Sequence, residues 1–591
     1  MDSVNQVVLE KPVVRSEKEL VEQWLGQLDV ALQSASRASV ASLFAADGHW
    51  RDLLAFTWSI TPRQGAEDIA ALMVAKQGTA GARGFAIAEG RTPPRRVQRA
   101  GTDVIEGIFR FETAVGRGFG VVRLLAGEPS RAFQLMTGLH ELKGFEEKIG
   151  KRRPKGDAVY RDFGGRTWKQ QRADAQEYTD REPVVLIAGG GQAGLSLAAT
   201  LVRLGVDTLV VDRFERVGDC WRKRYDSLAL HNDTSFNHLP YMPFPPSWPT
   251  YLPKDMVADW FEAYAWAMEI NFWTGTELVG GSYDESAGRW NAVVRRTDGT
   301  ERTVHPKHLV FANGLVGYPH IPELPGLKDF KGKAQHTTEF TTGADWRAKK
   351  ALVIGTGTSG HDVAQDLHAH GCDTTIVQRG STMVLSIDPS AKLVYGIYNG
   401  VPIEDGDLFA STNTKPVVKK NLQLLTARMV EHDRKTIDGL IARGFKFDDG
   451  EDGAGHQWKV RTRYGGYYLD AGCSQLIIDG EIGLLQYDRI ERFVEGGALL
   501  KDGSVFPADL IVLATGFVPQ EMVVAKILGE AIAKKVGPVW GFDSGGEMSN
   551  MWKRTPQEGL WFVGGSFANC RTYSRYVALQ IKAIEEVILP K

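Results

Sequence analysis

The chain has 591 residues, room for three or four domains at about 150 residues each. Apolar residues make up 43%, which supplies substantial cores and excludes a disordered chain. A formal charge of −2 argues against a surface built for nucleic-acid phosphates. The one basic run, KIGKRRPKG at 148–156, reads as a solvated linker. Cys220, Cys372, Cys473 and Cys570 form no C-x-x-C, so neither a zinc site nor a dithiol centre is expected, and a reducing compartment such as the cytoplasm fits. No apolar run reaches the roughly 18 residues of a transmembrane helix, and the start holds no continuous apolar signal core.

Along the chain, SEKELVEQWLGQLDVALQSAS repeats apolar residues at helical spacing, and further helices are expected at 39–45 and near 65–76. After Arg96 the pattern turns to alternation in DVIEGIFRFETAV, GFGVVRLLA and AFQLMTGLHELKG. Helices followed by antiparallel strands predict an α+β domain over 15–145. Residues 146–182 are charged, with little periodicity, and read as a linker that wraps the next domain.

At Pro183 the character changes. VVLIAGGGQAGLSLAATLVRLGVDTLVVDR is a strand, a glycine turn, a helix and a strand, the βαβ order of a parallel sheet. The same order returns in KKALVIGTGTSGHDVAQDLHAHGCDTTIVQR. Two Rossmann-like dinucleotide-binding domains are therefore expected, making an α/β protein with an N-terminal α+β domain. The boundaries read 183–340 for the first part of one dinucleotide domain, 341–504 for the other, and 505–591 for the return to the first.

The first turn is Gly189-x-Gly191-x-x-Gly194, with Gln192 and Ala193 opening the helix. Its glycines allow the tight turn, backbone approach to a pyrophosphate and close helix–strand packing. The second strand ends in Asp212, followed by Arg213, and an acid there can accept hydrogen bonds from ribose hydroxyls. The second turn is Gly355-x-Gly357-x-x-Gly360, with Thr358 and Ser359 opening its helix. Its strand ends in Gln378 and Arg379, so the acid is replaced and a guanidinium can pair with a 2′-phosphate. NADPH is preferred over NADH on this reading. Two such sites suggest one resident flavin and one hydride donor.

At this point residues 183–591 resemble the flavin-containing monooxygenases. GGGQAG with Asp212 looks like the FAD fingerprint, and VGDCWR, which contains Trp221, resembles a G-G-x-W element. LVFANG and LIVLATGF resemble two strand-to-loop returns, the latter placing Ala514, Thr515 and Gly516 among the cofactor-binding residues. FKGKAQHTTEF matches F-x-G-x-x-x-H-x-x-x-(Y/F) through Phe330, Gly332, His336 and Phe340, whereas type I Baeyer–Villiger enzymes carry Trp at the last place. In that setting His336 reads as an interdomain anchor, not an acid–base catalyst. The stretch from Tyr225 to Ala265 is similar to YUCCA-type enzymes, and either His231 or Asn232 falls where the family places a residue touching flavin and nicotinamide. Thr234–Phe236 lies nearby or packs as ordinary loop, and Asp470 in YGGYYLDAG either supports a site loop or caps a helix.

The resemblance implies FAD, NADPH and O2 as reactants. A C4a-hydroperoxyflavin would oxygenate a small molecule, most readily at S or N. Baeyer–Villiger oxidation of ketones is the runner-up, and a YUCCA-like oxidative decarboxylation of a 2-oxo acid is a further alternative. A disulfide reductase would need a cysteine pair that is missing, and a bare binding module would not need two intact turns. The segment LFAADGHWRDLLAFTWSITPRQGAEDIAALM resembles the SnoaL-like, nuclear-transport-factor-2-like (NTF2-like) cone fold. His49 and Asp52 are either an acid–base pair there or structural residues, and the domain either covers an entrance or forms a homodimer contact.

Overall fold

The computed structural model describes residues 15–127, 130–155 and 163–589. The first fourteen residues and residues 156–162, read above as signal-free and as linker, lie outside the described residues. The chain forms two compact units, Met1–His140 with Glu404–Thr414, and Glu141–Ile403 with Lys415–Lys591.

In the first unit, Ser16 and Glu19 form a capping box at the start of helix Glu17–Gln33, which buries Val21, Trp24, Leu25 and Leu28. The helix expected at 39–45 ends sooner: Arg37–Ser42 is helical, but Phe44–Leu53 is a strand. A register shift between Phe44 and His49 interrupts its pairing. A Cβ on Gly48 would lie 2.9 Å from the carbonyl oxygen of Ala45, so glycine admits the irregularity. The sheet runs Ile60–Gln64, Phe44–Leu53, Ala132–Leu142, Gly116–Leu125, Thr102–Glu112 and Arg83–Ile87, with Arg95–Arg99 also paired to Thr102–Glu112. Helix Glu17–Gln33 covers one face; a Cβ on Gly107 would come within 3.1 Å of Val21.

His49 and Asp52 are three apart on one strand, so they face opposite sides of the sheet. The acid–base pair is thereby corrected. His49 Nδ1 meets Thr414 Oγ1 at 3.0 Å. The buried Asp52 carboxylate accepts from Thr137, from the Thr57 hydroxyl and from the amides of Phe56 and Thr57. Burial outweighs those bonds and pushes its pKa up to about 6.

The second unit holds two five-stranded parallel sheets. The first runs Asn271–Trp273, Thr208–Val211, Val185–Ala188, His308–Phe311 and Leu560–Phe562. Residues 163–182 hold more structure than their composition suggests. Helix Trp168–Glu177 carries a capping box between Thr167 and Gln170, and the stretch ties to the sheet edge through Trp273 Nε1 to Gln176 O at 2.6 Å and Tyr178 to Asp207 at 2.6 Å.

The second sheet runs Lys333–His336, Leu510–Leu513, Lys350–Ile354, Asp373–Gln378 and Gly483–Gln486. The boundaries read at 340 and 505 shift accordingly. Leu510–Leu513 is apolar and buried along its whole length, which suits an interior strand covered on both faces, and it fills that place here. The return to the first sheet comes only at Leu560–Phe562, followed by helix Phe567–Glu585.

Candidate active site

Both glycine turns follow the C-terminal ends of interior strands, where open parallel sheets bind ligands. In the first, Gly189 has φ +115°, and a Cβ there would sit 2.4 Å from Ala312 O. A Cβ on Gly194 would lie 2.0 Å from Gly189 O, so helix Gln192–Arg203 can approach only as glycine. Gly191 is different: the nearest atom to its Cβ would be Cys220 Sγ at 3.8 Å. That open position lies at a helix N-terminus, as an anionic pyrophosphate requires.

Asp212 turns back into this turn. Its Oδ2 accepts from Gly190 N at 2.6 Å and its Oδ1 from Phe214 N at 3.0 Å, while burial raises its pKa. Arg213 lies on the surface, donates to Gly317 O at 3.2 Å and packs over Phe214 and Tyr318. Gln192 donates to Gly565 O at 3.2 Å, Ala193 is buried, and Trp221 packs near Phe567 with ring centres 6.2 Å apart. The structure thus gathers Gln192, Trp221 and the start of helix Phe567–Glu585 around the first turn. Asn313, in LVFANG, has both side-chain polar atoms buried and unpartnered. An unpaired buried amide is costly unless a ligand meets it, so these residues fit a bound dinucleotide.

The second turn repeats the backbone. Gly355 has φ +119°, and a Cβ would lie 2.4 Å from Ala514 O; one on Gly360 would lie 2.1 Å from Gly355 O. Gly357 is open, with Tyr467 O 3.9 Å from its virtual Cβ, and Thr358 donates to that carbonyl at 3.4 Å. Ser359 is half-buried beside Tyr225, whose hydroxyl donates to Asp362 at 2.6 Å. Gln378 is buried and faces away from the turn, exchanging bonds with Lys446 N and O at 2.7 and 2.9 Å. Arg379 is exposed and makes no hydrogen bond or ion pair with the described residues. An open guanidinium at this strand end fits a 2′-phosphate.

Thr515 and Gly516 lie where FKGKAQHTTEF and LIVLATGF meet. His336 is buried; its Nε2 donates to Gly516 O at 3.1 Å and its Nδ1 accepts from Thr338 N at 3.2 Å. Both ring nitrogens are used, which suits an anchor. Thr515 donates to His320 O at 2.6 Å. Phe340 is in the second sheet's core, and a Cβ on Gly332 would strike Asp509 O at 2.4 Å. Asp470 accepts from the amides of Gly472 and Ser474, the capping reading, at helix Cys473–Asp479.

His231 and Asn232 are half-buried. Burial holds His231 down to about 4. His456 lies close enough for the charges of His231 and Arg461 to add to its burial, and it is held down to about 3. Phe236, in Thr234–Phe236, stacks on Tyr395 at 4.1 Å and on Tyr398 at 5.7 Å. His456 faces Tyr467 with ring centres 6.0 Å apart. Two neutral imidazoles and an aromatic cluster, with the Arg461 charge nearby, make a surface that carries both hydrogen-bonding groups and aromatic rings. His456, Tyr395 and Asn313 were not read as site residues; only Asn313 had a signal, since it stands inside LVFANG. Among the described residues no three His, Cys, Asp or Glu form a metal cluster, and no helix is long and apolar enough to cross a membrane.

The profile of flavin-binding monooxygenase-like proteins matches residues 183–534, more than half of the chain. The chain belongs to that family and is an NADPH-dependent flavin monooxygenase. The indole-3-pyruvate monooxygenase YUCCA1 of Oryza sativa subsp. japonica is 31% identical over 303 residues, 46% of this chain and 74% of the relative. A probable indole-3-pyruvate monooxygenase, YUCCA4 of Arabidopsis thaliana, is 29% identical over 343 residues, 57% of this chain and 75% of the relative. Among solved structures, OTEMO in complex with FAD and NADP aligns with a TM-score of 0.52 at 16% identity over 69% of this chain and 86% of the other. Epsilon-caprolactone-bound cyclohexanone monooxygenase aligns at 0.50 and 15%, over 68% and 88%. At those identities the structures speak for the fold.

Proposed function

We propose that FAD sits on the first turn and NADPH on the second, and that the enzyme uses O2 to oxygenate a small molecule at S or N. The observation that carries the assignment is the contrast in strand ends. Asp212 closes onto its own turn, as a ribose-binding acid would, whereas Gln378 turns away and leaves Arg379 open. Gly189, Gly191, Gln192, Ala193, Gly194, Asp212, Arg213 and Trp221 hold FAD, with Asn313 added. Gly355, Gly357, Thr358, Ser359, Gly360 and Arg379 hold NADPH. Ala514, Thr515 and Gly516 support the second turn, since Ala514 O fixes Gly355 and Gly516 O anchors His336. When bound, the flavin supplies the oxygen-activating redox chemistry and NADPH the hydride.

The chain's own residues bind, orient and exclude water. His231 or Asn232 offers a hydrogen bond toward the reacting centre, and His231 stays neutral because its burial disfavours the imidazolium. Phe236, Tyr395 and Tyr398 wall the substrate side against solvent. Phe340 at the motif's last position favours heteroatom oxygenation. The YUCCA relatives favour a second reading, oxidative decarboxylation of a 2-oxo acid, and rank it above the Baeyer–Villiger outcome, since the ketone-oxidising neighbours share only the fold. The N-terminal unit is an NTF2-like domain on this reading, from its helices packed on one face of a mixed sheet. Four free cysteines suit the cytoplasm.

The test is purified protein with NADPH in air, offered one sulfide, one amine, one ketone and one aromatic 2-oxo acid. The expected result is a yellow protein bleached by NADPH without air, with product from the sulfide or amine. Colourless protein that takes up no FAD would overturn the assignment. Product from the 2-oxo acid alone selects the second reading.

A further inference from the structure

The face of the N-terminal sheet opposite helix Glu17–Gln33 carries a row of polar side chains. Strand pairing aligns Arg95 with Glu106, Glu106 with Arg123, and His49 with Gln134. Arg123 Nη1 closes the row by donating to Gln134 at 2.7 Å. Burial would raise Glu106, but Arg123 and Arg99 outweigh it and hold its carboxyl down to about 2. One carboxylate thus faces three guanidiniums, those of Arg95, Arg99 and Arg123. The excess cation is met by the segment that joins this unit from far along the chain.

That segment is built as a ligand. Asp405, in the first turn of helix Ile403–Ser411, is fully buried and bound by Arg91 at 2.8 Å and by the amide and hydroxyl of Thr92 at 2.8 and 2.6 Å. Phe409 lies under Arg95 and Arg99, at 5.1 and 5.9 Å from its ring centre. The helix ends toward the cations. Arg123 donates to Phe409 O at 2.9 Å, which also accepts a long bond from Thr412 N at 3.4 Å, and Arg51 donates to Ser411 O at 2.7 Å, so guanidiniums meet the carbonyls of a helix end. Past the helix, Asn413 accepts from Arg123 at 2.7 Å and Thr414 meets His49. Asp405, Phe409, Ser411, Asn413 and Thr414 each meet a partner on this unit.

We propose that the N-terminal unit is an internal recognition module whose ligand is the helical segment Glu404–Thr414, and that holding this segment keeps the aromatic wall of the active site in place. Only five residues separate Glu404 from Tyr398, which stacks on Phe236. Ala391, Leu393 and Val394 stay packed with Met383 and Leu469, so a segment released at 404 frees the end of the stretch, Tyr395 and Tyr398, to leave Phe236 and admit water. The second half of the proposal rests on the reading that Phe236, Tyr395 and Tyr398 wall the substrate side.

The test compares full-length protein with Phe409→Ala and with Phe409→Trp, which keeps a ring under the arginines; Asp405→Asn, of unchanged shape, serves if Phe409→Ala fails to fold. Hydrogen exchange reads the capture directly, and residues 404–414 are expected to exchange faster in Phe409→Ala or Asp405→Asn than in wild type or Phe409→Trp. In air without organic substrate, NADPH, O2 and a proton give NADP⁺ and hydrogen peroxide. Peroxide release is expected to rise roughly fivefold in Phe409→Ala, with anaerobic flavin reduction by NADPH unchanged and Phe409→Trp restoring the wild-type rate. Unchanged exchange at 404–414 would overturn the recognition. Faster exchange with unchanged peroxide release would overturn the hold on the active site. A wild-type protein that NADPH does not reduce would overturn the proposed function and, with it, that second half, while the exchange result still judges the recognition.

Discussion

The two glycine turns share one backbone and diverge one strand later. Both have a first glycine near φ +117° pressed against a neighbouring strand's carbonyl, an open second glycine, and a third whose Cβ would strike the first. After the first turn an acid folds back onto the turn's amide; after the second an amide folds away and a cation stands in solvent. The divergence reaches inside the turn. Gly190 is hemmed in by Phe272 and Asp212, whereas its counterpart Thr356 has room to bond Thr382 at 2.6 Å. On the proposed assignment, the shared part serves what all dinucleotides have in common, and the divergent part serves what distinguishes them.

The comparison can be broken most severely where the turns agree. Gly194→Val and Gly360→Val should each cost several kcal/mol, roughly 3 or more, since the added atoms meet a backbone carbonyl that cannot move. Loss of soluble, flavin-loaded protein is the expected readout for Gly194→Val. Next, Asp212→Ala removes the acceptor for two backbone amides, and flavin retention after gel filtration should fall roughly 10- to 100-fold in affinity with the KM for NADPH unchanged.

The third prediction uses the residue after each third glycine. Leu195 is buried in the first helix; His361 is buried in the second, stacked on Tyr468 at 3.9 Å, and burial holds it down to about 4. With the folded pKa below the unfolded value, the unfolded chain binds the proton first, so stability falls as pH drops from about 6.5 toward 4. The loss at pH 5 is roughly 2 kcal/mol. His361→Leu should flatten the melting temperature between pH 7 and 5, and an unchanged slope would discard this cause. Fourth, Arg379→Ala should raise the KM for NADPH roughly tenfold and leave that for NADH unmoved; equal changes would remove the 2′-phosphate role. The smallest effect is expected from Thr356→Gly, at most about 1 kcal/mol in thermal unfolding. Its mirror, Gly190→Thr, should fail to fold, with Phe272 2.2 Å from the new Cβ.

Local chemistry was legible in the sequence, and pairing at a distance was not. The turns, Asp212, Arg379 and the anchor His336 declare themselves because residue type and spacing act within a few positions. LIVLATGF read as the return to the first dinucleotide domain, but its strand Leu510–Leu513 joins the second sheet, and nothing local says which of two parallel sheets a buried strand joins. Phe44–Leu53 was missed because helix was expected to 45 and the strand's alternation is broken where its register shifts between Phe44 and His49. Helix Trp168–Glu177 has a capping box but no buried residue of its own, so it lacked an apolar period. The polar row of the N-terminal sheet appeared as scattered arginines, because its partner lies some three hundred residues downstream.

The position of Leu510–Leu513 has a consequence for how the protein is made. Lys333–His336 and Lys350–Ile354 leave the ribosome close together, yet they cannot pair, because the strand that belongs between them has not been synthesised. The first sheet likewise waits for Leu560–Phe562 at its edge. One sheet cannot close until Leu510–Leu513 is made and the other not until Leu560–Phe562, so the nascent protein carries two open parallel sheets over that span. Premature termination between residues 354 and 510 leaves a gap in the middle of one sheet and a bare edge on the other.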